Sequence, residues 1–339
     1  GARVLDSTWT CPTESSDQEA DVLAVCPNPT IDRLVVLTEL LPGTVDRARE
    51  NKAFPAGKSV SAARGSRANG ARPEVLVLLP TTGADWYLST LRAEGVDVAA
   101  HSYPGAVRES IIVIEDSGRV TVLNGTGAQV DQPDWDAFVD AAVARTRPGD
   151  WVVCSGSFPP GVGPEALAGF VAAMTGAGGR LALDTGPAWM PYALSGPTLP
   201  SLVTPNLAEA EAILAGGTPV ESTSVGTGAL ARAEVAAAAL HGRGIESVVV
   251  TAGSAGLAWA SADGSGRLPG QPVAVRNPIG AGDAFMGGLV ARLEQGTPFA
   301  EAVAWGMATS CAAIEQWSPG GASGDRVAHF RDLIASARW

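Results

Sequence analysis

The chain has 339 residues, 46% of them hydrophobic and only 17% charged, which is enough apolar material for a large buried core. Its formal net charge of −12 excludes nucleic acid and anionic membrane as partners, because phosphate backbones are gripped by clustered Lys and Arg. No apolar run reaches the roughly 18 residues that a bilayer span needs. Residues 1–20 are polar and acidic rather than a basic start followed by an apolar stretch, so no signal peptide is expected. Cys11, Cys26, Cys154 and Cys311 are widely spaced, with no CxxC and no histidine cluster, and read as reduced thiols of a cytoplasmic protein.

In chain order, residues 1–20 read as a flexible tail and folded structure is expected over 21–339. The apolar run Val22–Cys26, closed by Pro27-Asn28-Pro29, predicts a buried strand, and residues 31–37 a second extended run. Residues 107–115 and 119–123 predict a hairpin around Asp116-Ser117-Gly118. Apolar strands at 75–79, 151–154, 181–184, 201–203 and 247–251 are separated by Ala-rich helical stretches, the alternation of a parallel sheet covered on both faces. The last third predicts a strand at 273–276, a Gly-rich turn at 280–282, and helices at 283–295 and 299–316. The expected fold is therefore α/β: three α/β/α layers around a mostly parallel sheet, with a small β-sheet lid built from segments near 33–54 and 106–124.

Five segments carry candidate chemistry. Gly280-Ala281-Gly282 precedes Asp283 at a helix start, where uncovered N–H groups and the helix dipole favour an anion and Asp283 can take a proton from an attacking hydroxyl. Read alone, Asp283 is as easily a helix cap. Asn206 and Glu209, three apart after a strand, suit the waters of a Mg ion that bridges ATP phosphates, or equally a capping box. Asp32 enters the lid and can accept from sugar hydroxyls, or is a strand-end surface carboxylate. Gly57, Lys58 and Ser61 open a helix with a close backbone approach and a cation, and Arg108 adds a second cation at the lid hairpin; together with Asp32 they suit a polyol bearing a phosphate. Thr251, Gly253 and Gly256 end a strand with small residues suited to a nucleotide over the sheet edge, or make a plain turn.

Two other motifs fail on context. Gly57-Lys58-Ser59 is not a P-loop, since Lys52 stands where the leading glycine should be. Gly226-Thr227-Gly228-Ala229-Leu230-Ala231 matches a dinucleotide fingerprint, but residues 219–224 before it are too polar for a buried strand, so it reads as a loop into helix 228–241.

Taken in order, Asn28-Pro29-Thr30-Ile31-Asp32, Gly57-Lys58, Ser155-Gly156-Ser157-Phe158-Pro159-Pro160-Gly161, Thr204 to Glu209 and Gly280-Ala281-Gly282-Asp283 resemble the ribokinase-like PfkB carbohydrate kinases. The branch of 1-phosphofructokinase and tagatose-6-phosphate kinase is the most similar. The resemblance implies ATP and Mg2+ as cofactors, Asp283 as catalytic base and an anion hole at 280–282. It further implies Asn206 and Glu209 serving Mg–ATP, Thr251, Gly253 and Gly256 lining the nucleotide site, and Asp32, Gly57, Lys58, Ser61 and Arg108 holding a sugar or sugar phosphate. A homodimer through the lid follows from the same resemblance, as does packing of Ala304, Gly306, Ala308 and Ala312 near the adenine. The chain departs from the family's G-G-K-G-x-N pattern at Ala56, Ser59 and Ser61, and Thr204 replaces a common Lys. Those departures leave the proton-transfer residues in place but open the acceptor: an unphosphorylated sugar or nucleoside, or a non-catalytic ligand, are the alternatives.

Overall fold

The computed structural model describes residues 21–216 and 226–336; the tail at 1–20 with Cys11, and the polar stretch 219–224, lie outside the described residues. The chain opens with β1 (Val22–Cys26), enters β2 (Thr30–Leu37) and β3 (Glu50–Ala56), and returns through α1 (Lys58–Ala68) to β4 (Pro73–Thr82), α2 (Ala84–Ala93) and β5 (Asp97–Ala106). The hairpin β6 (Arg108–Glu115) and β7 (Val120–Asn124) follows, then α3 (Gln132–Val143), β8 (Trp151–Ser155), α4 (Glu165–Gly176), β9 (Arg180–Asp184), the short α5 (Met190–Ala193), β10 (Leu202–Val203) and α6 (Leu207–Ala215). The last third holds α7 (Ala229–His241), β11 (Ser247–Thr251), β12 (Gly256–Ser261), β13 (Gly264–Pro269), α8 (Ala281–Glu294), α9 (Phe299–Ile314) and α10 (Gly324–Ser336).

Nine strands form the main sheet in the order β13-β12-β11-β10-β9-β8-β1-β4-β5, parallel except where β12 and β13 run antiparallel at one edge. Alternation along each strand feeds two faces, as a pleat requires. On β8, Val152 and Cys154 join the layer of α3 and α4 with Phe138, Phe170 and Met174, while Trp151 and Val153 join the layer of α8 and α9 with Phe285, Leu289 and Val303. Each large apolar side chain buried this way is worth about 1.5–3 kcal/mol. The chain goes from β1 to β4 on one side and later to β8 on the other, so the strand order reverses between β1 and β8, the place where α/β sheets open a crevice at their carboxyl edge.

The lid is a separate four-stranded sheet, β3-β2-β6-β7, in which β2 and β6 are parallel over their whole length. Leu34, Val36, Ile112 and Ile114 form its buried face and pack with Ile279 and Trp317 of the main body, seating the lid over the turn that precedes α8.

Two expectations are corrected. Residues 273–276 form no strand: Arg276 N and Asn277 N donate to the carbonyl of Ile314 at the end of α9, 2.8 and 3.2 Å, so this backbone is satisfied by a helix terminus instead of a sheet neighbour. α8 begins at Ala281, two residues earlier than the sequence suggested, with Gly280 at its N-cap in the left-handed conformation. Among the described residues no helix is long and apolar enough to cross a membrane.

Candidate active site

A cleft of about 1250 Å³ runs along the carboxyl edge of the main sheet, beneath the lid, and the candidate residues of all five segments line it, whereas Ala304, Gly306, Ala308 and Ala312 do not. At the acceptor end, β2 carries Asp32 opposite Ser110 of β6 and buries it to 6% exposure. Burial pushes its carboxyl up to about 6, with Arg108 and Arg64 and a hydrogen bond from Thr30 pulling the other way. Arg108 donates from Nε and Nη2 to the carbonyl of Asn28, 3.3 and 3.0 Å, and from Nη1 to that of Gly125, 3.2 Å. Among the described residues no carboxylate forms an ion pair with it, and burial lowers its pKa from the ordinary arginine value.

Gly57 caps α1 at φ 139°, and a Cβ there would stand 2.6 Å from the Cys26 sulfur, so only glycine brings the backbone this close to the end of β1. The next residue, Lys58, extends into the cleft with its side chain 44% exposed while its ammonium meets Asp184 Oδ2 at 3.2 Å. Asp184 raises the Lys58 pKa, so the side chain is a fixed cation.

Asp283 is the third residue of α8 and is 8% exposed. Its Oδ1 accepts from Ser155 Oγ at 3.1 Å, so the carboxylate turns into the sheet edge. Burial lifts its pKa to about 7; Lys58 opposes the rise, Asp184 adds to it, the Ser155 bond opposes it and Asp32 adds again. A carboxyl poised near neutrality in a cleft is suited to accept a proton in the middle of a reaction and to release it afterwards. The amides of Ala281 and Gly282 stand in the first turn of the helix, where no intrahelical acceptor exists, beside this carboxylate.

At the other end, Asn206 and Glu209 do form the capping box of α6: Glu209 N donates to Asn206 Oδ1 at 3.0 Å and Asn206 N to Glu209 Oε2 at 2.9 Å. A bridge pairs Asn206 with Thr251, whose N donates to the carbonyl of Pro205 at 3.1 Å, which sets the amide beside the end of β11. Thr251, Gly253 and Gly256 line this end together with Val273 and Val275. The side of α9 that reaches the cleft carries Met307, Ser310, Cys311 and Ile314. Ala304, Ala308 and Ala312 instead join the core beneath the sheet, and Gly306 lies against Phe285, where a Cβ would come within 2.8 Å of its carbonyl. α9 thus keeps these small residues on its packing face and reaches the cleft with Met307, Ser310, Cys311 and Ile314.

Sequence reasoning missed Asp184, Ser155 and Asn28 as site residues. Asp184 is the last residue of β9, directly after the apolar Leu181-Ala182-Leu183, and an acid at the carboxyl end of a buried parallel strand was the available signal. Ser155 stood inside a quoted motif without a role. Asn28 donates to Ser157 Oγ and to the Phe158 carbonyl, 3.2 and 3.4 Å, tying the entry of the lid to that motif. The dinucleotide-like glycines behave as a loop into a helix, with Gly228 capping α7.

A doubly wound sheet with a β lid over a buried aspartate at a helix start forms a lidded α/β cleft. The sequence pattern of the pfkB family carbohydrate kinases matches residues 26–323, and the chain belongs to that family. The 1-phosphofructokinase of Haemophilus influenzae is 29% identical over 304 residues, covering 89% of this chain and 93% of that protein. That of Xanthomonas campestris is 31% identical over 276 residues, 80% and 83%. Among solved structures, phosphofructokinase-2 from Escherichia coli shares the fold with a TM-score of 0.82 at 22% identity, covering 93% of this chain and 99% of that one. A ribokinase from Thermotoga maritima does so at 0.70 and 16%, covering 92% and 99%.

Proposed function

We propose that this sugar kinase transfers the γ-phosphate of ATP to a hydroxyl of a hexose phosphate of the fructose 1-phosphate or tagatose 6-phosphate type, with Asp283 as base. The observation that carries the reading is Asp283 itself, buried at the N-terminus of α8 with its carboxyl held near neutrality. The acceptor sugar lies between Asp32, Gly57, Lys58, Ser61 and Arg108, with Arg108 and Lys58 as cations for the phosphate it already bears. Asp283 takes the proton of the attacking hydroxyl, and the amides at 280–282 stabilise charge on the transferring group. Seating of the lid on Ile279 and Trp317 keeps water from competing as acceptor.

The nucleotide lies at the end lined by Thr251, Gly253 and Gly256. Asn206 and Glu209 would hold Mg2+ as a hydrated ion carried by the phosphates, accepting from its waters. Once bound, Mg2+ supplies charge neutralisation on the phosphates. Those two side chains already accept one hydrogen bond each within the capping box, and an oxygen acceptor retains capacity for a water.

The names of the 1-phosphofructokinase relatives favour a phosphorylated ketohexose. ADP release from Mg–ATP should be measured with fructose 1-phosphate, tagatose 6-phosphate, fructose 6-phosphate, free hexoses, ribose and nucleosides. Turnover with a phosphorylated ketohexose is expected; turnover only with unphosphorylated acceptors overturns the phosphate-binding roles of Lys58 and Arg108, and silence overturns the kinase assignment of the cleft. A homodimer through the lid is part of the same reading, supported by Ile111 and Leu123, which lie side by side on β6 and β7 and are 39% and 58% exposed. Sedimentation of the parent against an Ile111→Glu variant tests it, a lighter species being expected only in the variant. One structure of the Escherichia coli protein is described as a tetrameric inhibited form.

A further inference from the structure

At the reversal point of the sheet one buried hydroxyl links two strand ends. β1 and β8 pair in register up to Val25 and Cys154. Ser59, fully buried in the first turn of α1, sits where the two strands end: its Oγ donates to the Val25 carbonyl at 2.6 Å, accepts from Ser155 N at 2.9 Å and lies 3.2 Å from the Ser155 carbonyl. One hydroxyl thus joins the end of β1 to the backbone of Ser155. Ser59 is also one of the positions at which the chain departs from the family pattern it resembles.

The residue fixed in this way is the one that touches the aspartate. Ser155 is 1% exposed, and its Oγ lies 3.1 Å from Asp283 Oδ1 and 3.2 Å from Asp184 Oδ2. A serine hydroxyl has a single proton to give, so it can donate to only one of two ionised carboxylates. Asp184 is already neutralised by Lys58 Nζ at 3.2 Å and the Asp283 contact is the shorter of the two, so the Ser155 proton is assigned to Asp283. We propose that Ser155 is a positioning residue for Asp283, donating to Oδ1 so that the carboxylate is ionised and oriented, and that Ser59 holds Ser155 in place by bridging the ends of β1 and β8. The inference rests on the assignment of Asp283 as base given above.

The other groups that face Asp283 are Lys58 from α1, Asp184 from β9, Asp32 from β2 and the buried thiol of Cys26 from β1. Lys58 favours the ionised form, whereas Asp184 and Asp32 disfavour it, and Ser155 adds a neutral hydrogen-bond donor to a set of charges that work against each other. Removing that donor raises the pH at which Asp283 becomes a base.

The test is a titration of the Asp283 carboxyl by difference infrared spectroscopy, parent against Asp283→Asn, repeated in Ser155→Ala, Ser155→Cys and Ser59→Ala backgrounds whose fold is checked by near-ultraviolet circular dichroism. The midpoint should move upward by roughly one pH unit in Ser155→Ala, the size of a lost hydrogen bond to a charged group. It should move less in Ser155→Cys, which keeps a weak donor, and in Ser59→Ala, which only loosens Ser155. An unmoved midpoint in both Ser155 variants overturns the positioning role, and an unmoved midpoint in Ser59→Ala alone overturns the brace. The acid limb of kcat with fructose 1-phosphate and Mg–ATP should follow the infrared midpoint. If the infrared midpoint moves while the acid limb stays, Asp283 is tuned by Ser155 but is not the base, so the two readings fail separately.

Discussion

The two ends of the cleft are built from different materials. The acceptor end concentrates charge, with the buried Asp32, Asp184 and Asp283 and the partly exposed Lys58 and Arg108 supplied by five different elements. The nucleotide end is lined by Thr251, Gly253, Gly256, Val273 and Val275, and its one buried acid, Glu209, is committed to a helix cap. Charges kept in a dry place cost stability and persist where bond-making needs them. Small neutral residues let a backbone approach a flat ligand without such cost. On the function proposed above, proton transfer belongs to the acceptor end and the other end is left to binding.

The sharpest way to break this division is Asp283→Asn. The carboxamide keeps size and loses basicity, so turnover should fall about 10³-fold or more while the affinity for ATP, measured by calorimetry, changes less than about threefold. A variant that retains a tenth of the parent turnover would remove proton transfer from the acceptor end. The next effect belongs to Arg108. Its hydrogen-bond partners among the described residues are backbone carbonyls, so Arg108→Gln should raise KM for a phosphorylated acceptor about 10- to 100-fold and leave KM for ATP unchanged. Equal effects on both KM values would merge the two ends.

The same comparison predicts a cost in stability. The pKa of Asp283 is raised in the folded protein, from 3.8 to about 7, so the native state binds its proton more tightly than the unfolded chain does. Its contribution is most favourable below pH 4 and is lost as pH rises through 7. Asp283→Asn abolishes that loss. The Tm difference, variant minus parent, should therefore be small near pH 4, grow as pH rises to 7 and level off above it. A difference that shrinks with pH would mean that Asp283 is stabilised as a carboxylate and is not strained by its burial. Asp32, raised to about 6, should behave alike over a narrower window when changed to Asn.

Much of this was legible in the sequence because periodicity and punctuation are local signals. Apolar runs of about five residues with Ala-rich spacers gave β1, β4, β8, β9, β10 and β11 of the main sheet but not β5, β12 or β13, and the glycines around Asp283 gave the start of α8 to within two residues. What stayed hidden depends on long-range pairing. The parallel contact of β2 with β6 joins segments separated by all of β4, α2 and β5, and no turn residue announces it. The Ser59 link needs β1 and β8 to be neighbours before its hydroxyl has anything to join. Residues 273–276 looked like a strand because Val273 and Val275 alternate with small neighbours, but the edge of the sheet was already taken by β13 and the end of α9 offered the nearer acceptor.

The smallest expected effect decides what Asn206 and Glu209 are for. Their capping box is real, so a loss of Mg2+ response in an alanine variant would be ambiguous: a frayed α6 would produce it as well. A Ser-x-x-Gln sequence is itself a capping box, with Ser accepting from the third helical amide and Gln reaching back. The double variant Asn206→Ser, Glu209→Gln therefore keeps the cap and removes the carboxylate. Its stability should lie within about 1 kcal/mol of the parent. If the pair also orders waters around a phosphate-bound Mg2+, the Mg2+ concentration for half-maximal ADP release should rise several-fold. An unchanged Mg2+ requirement at unchanged stability would make the pair a cap and nothing more, and the nucleotide end would then hold its ligand entirely through backbone and neutral side chains, making the contrast with the acceptor end complete.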